Sequence, residues 1–142
     1  MQIVKINQME AEHHELVAQV FALDAVKNGL VNDYRSFCFG AYEGDALVGL
    51  VCGNTLFDEV HIADLVVVKE HRGKGVGLQL VRTVERQFSP RGFRCITLTT
   101  LGYQAPKFYE KLGYTLEFVR RHGKDDRLDK YFYCKRLKDR EV

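Results

Sequence analysis

No apolar run in this chain approaches the length of a membrane-spanning helix, and the opening MQIVKINQME lacks the pattern of a secretory leader. A cytoplasmic location, with no membrane partner, is the expectation. The four cysteines (Cys38, Cys52, Cys95 and Cys134) stand singly with no Cys-x-x-Cys pair, and the five histidines show neither HxxxH nor HExxH spacing. No metal site is therefore expected. Three of the cysteines fall in apolar, strand-like runs, where a thiol behaves as a small buried hydrophobe. The net charge is only +2, so no global field draws nucleic acid. Repeats, low-complexity stretches and Pro/Ser-rich linkers are also missing. One domain spanning residues 1–142 is the simplest organisation.

What is present is the composition of a globular protein, 46% apolar and 28% charged, long enough to bury a core without disulfides. Basic residues gather in the second half, at Arg82, Arg86, Arg91, Arg94, Arg120, Arg121, Lys124 and Arg127. Solvated helix and turn surfaces would carry them, and a polyanionic small molecule would suit the same bias.

Residues 2–6 alternate weakly and predict a first strand. Residues 10–26 carry Leu16, Val17, Val20, Phe21 and Leu23, the apolar stripe of an amphipathic helix. A polar stretch at 28–36 predicts a loop or a short helix. Strands are predicted at 37–42 and 46–52, joined by the turn Glu43-Gly44-Asp45, and at 59–68. The period then changes: Val76, Leu80, Val81, Val84 and Phe88 predict a helix over 75–88, closed by Pro90 and Gly92. A strand at 94–101, a short helix at 106–112 and a strand pair at 114–119 and 130–137 complete the order β-α-β-β-β-α-β-α-β-β. Hairpins come first and a β-α-β crossover sits in the middle, which predicts an α/β (α+β) fold with a mixed sheet and helices on both faces.

The chemistry concentrates in Arg72-Gly73-Lys74-Gly75-Val76-Gly77, between the third strand and the second main helix. A helix start offers unpaired N–H groups and the positive end of the macrodipole. Glycines at 73, 75 and 77 remove the Cβ atoms that would keep a phosphate from those donors. A plain glycine turn accounts poorly for three glycines at a helix start, where each lowers helix propensity. A phosphate-binding P-loop needs Ser or Thr after Gly-Lys, and here Gly75 follows Lys74. A dinucleotide fingerprint belongs in the first βα turn of a parallel sheet, with its third glycine one place later.

The remaining pattern, R/Q-x-x-G-x-G/A, resembles the phosphate loop of the GNAT superfamily of acyl-CoA-dependent N-acyltransferases. The resemblance runs from about Val60 onward through DLVVVKEHRGKGVG, ITLTTLGYQAPKFYEKLGY and KYFYCKRL. It implies a mostly antiparallel sheet of six or seven strands, acetyl-CoA as co-substrate and a primary amine of a small molecule or peptide as acceptor. Leu65, Val66 and Val67 would offer main-chain groups to the pantetheine arm. Gly73, Lys74, Gly75, Val76, Gly77 and Leu78 would surround the pyrophosphate, with Arg72 and Lys74 adding charge. Tyr109 matches the family's tyrosine in FYEKLGY and would be the general acid that protonates the departing thiolate. Helical geometry gives Phe108 and Leu112 the core contacts and leaves Tyr109 free.

The base is less defined. Many relatives place Glu before Asp-Leu in the preceding strand, where this chain has Ala63. Asp64 and His61 are the candidates, as base or substrate contact, and histidine is the residue type suited to that task near neutral pH. Strict alternation puts His61 with Glu59, Ala63, Leu65 and Val67, and Asp64 on the opposite face with Val60, Ile62 and Val66. The family's frequent Asn before the tyrosine helix is Gly102 here.

TTLGYQAPKFYEKLGY looks most like small stand-alone bacterial members, and HIADLVVV is similar to glucosamine-6-phosphate N-acetyltransferases. A non-catalytic acyl-CoA-binding module is the alternative that Ala63 suggests. With no cysteine in either motif, direct attack is expected rather than an acyl-enzyme. The resemblance also allows a homodimer through the last strands.

Overall fold

The computed structural model describes residues 1–138, in two compact units divided between Asp33 and Tyr34. In the first unit a single helix, α1, spans Ala11–Lys27. Its start is closed locally, with the Glu10 N–H donating to His13 Nδ1 at 2.8 Å. Its end is closed by the Asn28 N–H donating to Ala25 O, followed by Gly29 at φ 71. Residues 2–6 form no strand. A strand needs a ladder partner, and this weakly alternating segment pairs with none.

The second unit holds the sheet. Its strands are β1 (Arg35–Glu43), β2 (Ala46–Leu56), β3 (Glu59–Val67), β4 (Cys95–Leu101), β5 (Thr115–Arg120) and β6 (Lys130–Arg136). Their spatial order is β1-β2-β3-β4-β6-β5. Every neighbouring pair is antiparallel except β3–β4, the one that needs a crossover. That crossover is α2 (Val76–Phe88), which buries Leu80, Val81, Val84 and Phe88 as its 3.6-residue period requires.

These side chains form one core with Val51, Val60, Ile62, Ile96, Leu98 and Tyr133. The short helix α3 (Lys107–Lys111) joins the same side of the sheet. Lys135 on β6 bridges the two helices, giving Nζ–H to Glu85 of α2 at 2.8 Å and to the Leu112 carbonyl behind α3 at 2.9 Å. Cys38 and Cys52 face each other across β1 and β2 and are joined as a disulfide. This corrects the reading of the cysteines as single: residues 14 apart in sequence are brought opposite by the hairpin register.

Two irregularities in β3 matter for function. Its parallel pairing with β4 runs only from Glu59 opposite Cys95 to Ile62 opposite Leu98. Beyond Ile62, β3 continues with β2 alone and β4 with β6 alone, so the sheet splits. At the same point β3 bulges: Ile62 pairs with Gly53 and Asp64 with Cys52, leaving Ala63 as the extra residue.

Candidate active site

The glycine loop follows β3 through a single 3-10 turn at Lys69–His71. Gly73 (φ 74) and Gly75 (φ 83) are both left-handed, a conformation that costs any side-chain-bearing residue, and neither has a neighbour within 4 Å of a would-be Cβ. Gly75 is the residue that opens α2, with no side chain capping the helix and no carboxylate in its first turn. The first N–H groups of this helix therefore face open space beside glycines that present no Cβ, an arrangement suited to an anion. Arg72 also makes a contact within the chain. Its Nε donates to the Val67 carbonyl at 3.0 Å, so the side chain ties the loop to the strand end.

Where β3 and β4 part, one edge of β3 is open beside Leu65, Val66 and Val67. Leu65 and Val67 pack against the core while Val66 is 56% exposed. The core side of β3 thus reads Val60, Ile62, then Leu65, Val67. The bulge at Ala63 has shifted the alternation by one. Asp64 therefore shares the opposite face with His61 and Val66, correcting the strict alternation that had separated Asp64 from His61.

On that face, His61 Nδ1 lies 3.0 Å from Thr97 Oγ1, its neighbour across the parallel ladder. Both border a cavity of about 400 Å³ lined also by Asn54, Leu56, Phe57, Asp58 and Glu59. Arg94 pairs with Asp58 at 3.2 Å and with Glu59 at 2.5 Å, leaving the lining one carboxylate in excess.

Tyr109 is buried, at 8% exposure, rather than free. Its ring sits edge-on to Phe108 and Tyr114 and tilted against Tyr133, with centroids 5.1, 5.9 and 6.0 Å away. Leu112 is buried as expected, while Phe108 is half-buried and reaches toward Gly77, whose would-be Cβ lies 3.5 Å from its ring. The exposed positions of the five-residue α3 are Lys107, Glu110 and Lys111, so Tyr109 lies on its core side. Burial pushes the Tyr109 phenol up to about 12, holding its proton across the physiological range.

Sequence reasoning missed a brace behind α3. Asp129, buried at the start of β6, accepts from the His122 N–H at 2.8 Å and from Arg121 Nη1 at 2.9 Å. Its own carbonyl accepts from the Gly102 N–H at 2.9 Å. A Cβ at Gly102 would lie 2.5 Å from the Asp126 carbonyl oxygen, so only glycine fits. The turn between β5 and β6 is thereby locked to the segment that leads into α3. Its charges pair internally, Arg127 with Asp125 and Arg121 with Asp129.

Among the described residues, no group of three His, Cys, Asp or Glu side chains could hold a metal ion, and no helix is long and apolar enough to cross a membrane.

With this geometry in place, residues 3–114 match the family model described as Acetyltransferase (GNAT) family. The chain is 30% identical over 129 residues to a streptothricin acetyltransferase of Escherichia coli, covering 76% of this chain and 74% of the relative. It is 33% identical over 93 residues to N-alpha-acetyltransferase 30 of Schizosaccharomyces pombe, covering 59% of this chain and 61% of that protein. Among solved structures, an acetyltransferase from Bacillus cereus superposes with a TM-score of 0.74 at 25% identity, over 94% of this chain and 98% of that one. An aminoglycoside 6'-N-acetyltransferase crystallised with coenzyme A shares the fold, with a TM-score of 0.63 at 18% identity over the whole of both chains.

Proposed function

Because the chain belongs to the acetyltransferase (GNAT) family, we propose that it transfers an acetyl group from acetyl-CoA to a primary amine by direct attack in a ternary complex. The family match crosses both compact units, which supports one acetyltransferase domain over residues 1–142. The observation that carries the reading is the open glycine cradle at Gly73 to Gly77, set beside the unpaired edge of β3.

Acetyl-CoA supplies an acyl group already activated as a thioester. The main-chain N–H groups from Gly73 to Leu78 bind the pyrophosphate, with Lys74 adding charge. The open edge at Leu65, Val66 and Val67 holds the extended arm as a strand would be held. His61 accepts the proton that the acceptor ammonium must lose, and Asp64, on the same face, favours the ammonium near it. Tyr109 keeps a proton available for the leaving sulfur. Its buried phenol is a weaker acid than an exposed one, so it serves first as a hydrogen-bond donor to developing charge.

The acceptor we propose is a small-molecule amine. The support is the likeness to the streptothricin enzyme together with the cavity beside His61, whose lining carries an excess carboxylate. Within this reading the protein is a homodimer joined at the edge strand β5, because β6, the more apolar of the last two strands, is covered on both sides by β4 and β5. Light scattering that returns the mass of one chain removes the dimer.

The deciding experiment supplies acetyl-CoA with streptothricin, aminoglycosides, amino sugars including glucosamine 6-phosphate, polyamines and peptide N-termini, and follows thiol release. Release with a small amine and none with peptides supports the proposal. Release with peptides alone replaces the acceptor class. Tight acetyl-CoA binding without any release points to the non-catalytic alternative.

A further inference from the structure

We propose that Thr97 is a positioning residue that fixes the tautomer of His61, so that Nε2 is the atom that takes the acceptor's proton. This rests on the reading of His61 as the base. The two side chains lie on adjacent parallel strands at the last registered stretch before β3 and β4 separate, His61 opposite Thr97. Their 3.0 Å contact involves Nδ1, which orients the other ring nitrogen away from Thr97. The ladder sets the backbone spacing, and Thr is stiff about χ1 in a strand, so the hydroxyl is held where the imidazole needs it.

A neutral imidazole has one donor and one acceptor nitrogen. If Nδ1 carries the hydrogen and donates to Thr97 Oγ1, then Nε2 holds the free electron pair. During the reaction the N–H bond of the acceptor ammonium breaks, its electron pair stays on the amine nitrogen, and a new N–H bond forms at Nε2. The imidazolium so formed still donates from Nδ1 to the same hydroxyl oxygen. No hydrogen bond is lost as the charge appears, and the proton passes later to solvent. The reverse arrangement, with the hydroxyl donating to Nδ1, would leave Nε2 protonated and unable to act.

The charged groups lining the cavity with this pair are Glu59 on His61's own strand and Asp58 from the β2–β3 turn, both held by Arg94, and Asp64 lies further along the same face of β3. From β2 and β4 the polar lining groups are the uncharged Asn54 and Thr97. Neither is charged, so the hydroxyl is the polar group in contact with Nδ1, and the acceptor role proposed for it leaves Nε2 free.

The test compares Thr97→Val, which keeps the shape and removes the hydroxyl, with Thr97→Ser, which restores it, and with His61→Gln. For Thr97→Val we expect kcat to fall roughly tenfold, the worth of one neutral hydrogen bond, with the Kd for acetyl-CoA unchanged. Nitrogen-15 spectra, with His61 assigned by its loss in His61→Gln, should show the Nδ1–H form dominant in the native protein and depleted in Thr97→Val. Thr97→Ser should recover both. Native kcat and an unaltered tautomer in Thr97→Val would overturn the role of Thr97. If His61→Gln itself leaves kcat intact, the base assignment falls instead, and the acetyltransferase assignment stands apart from both.

Discussion

Arg72 donates from Nε to the carbonyl oxygen of Val67 at 3.0 Å, joining the first residue of the glycine loop to the last residue of β3. The strand edge proposed for the pantetheine arm and the loop proposed for the pyrophosphate are thus tied by a side-chain hydrogen bond. We expect Arg72→Ala to weaken acetyl-CoA binding roughly twofold to tenfold, the worth of one ordinary hydrogen bond. Arg72→Lys should restore little, because an ammonium cannot reproduce the guanidinium's fixed N–H direction. Calorimetric titration with acetyl-CoA checks both. A full recovery by lysine would show that charge, not the tie to Val67, is what matters.

Gly75 and Gly77 separate the conformational from the steric demand of the cradle. Gly75 sits at φ 83 in open space, so Gly75→Ala should cost about 1–2 kcal/mol of stability and also place a methyl group at the mouth of the loop. At Gly77 the backbone is not left-handed, and an added Cβ would meet Phe108 at an ordinary 3.5 Å. Gly77→Ala should melt within ~2 °C of the native protein, as expected for a shift of roughly 0.5 kcal/mol or less. Thermal melts with and without acetyl-CoA read both effects, and an equal loss at the two sites would contradict the assignment.

The brace between Gly102 and Asp129 gives two expectations. Gly102→Ala drives a methyl group into the Asp126 carbonyl, so the two turns must separate, at a cost of about 1–3 kcal/mol. Because that segment leads into α3, kcat should fall while the Kd for acetyl-CoA holds. The Asp129 carboxyl is kept below the ordinary carboxylate range first by the His122 N–H and then by Arg121. Its stabilisation is therefore present above the ordinary range and is lost as pH falls through the depressed value. Asp129→Asn should flatten the acid limb of stability against pH. A limb of unchanged steepness removes Asp129 as its source.

Much of this arrangement was legible in the sequence, because the relevant patterns are local. The period of α2, the glycines at its start and the Glu43–Asp45 turn each act within a few residues. The bulge at Ala63 was not legible by alternation alone, since it depends on a partner strand. A hint existed in Gly53, a glycine inside a strand pattern. A Cβ there would run into the His61 carbonyl, so the glycine permits the close approach that the bulge requires. Tyr109 was misplaced for a related reason: burial on a five-residue helix is decided by what packs around it, here Phe108, Tyr114 and Tyr133. Thr97 sits in a β-branched strand run and nothing local marks it out; only the register with His61 does.

The burial of Tyr109 sets the last expectation. Its phenol titrates near 10 in an unfolded chain and is pushed up to about 12 in the folded one, because the charged form loses hydration among the surrounding rings. Between those values the unfolded state has released a proton that the folded state retains. The stabilisation is therefore complete below ~10 and disappears as pH rises toward the folded value. Tyr109→Phe should keep the ring packing, leave the melting temperature near neutral pH almost unchanged, and make the alkaline decline shallower. Tyr114 and Tyr133 are raised as well, so part of that decline must remain. In turnover the same substitution removes the proton donor, and kcat should fall on the order of a hundredfold with acetyl-CoA affinity retained. A shallower alkaline limb with native kcat would make Tyr109 a packing residue and leave the leaving sulfur to be protonated by water.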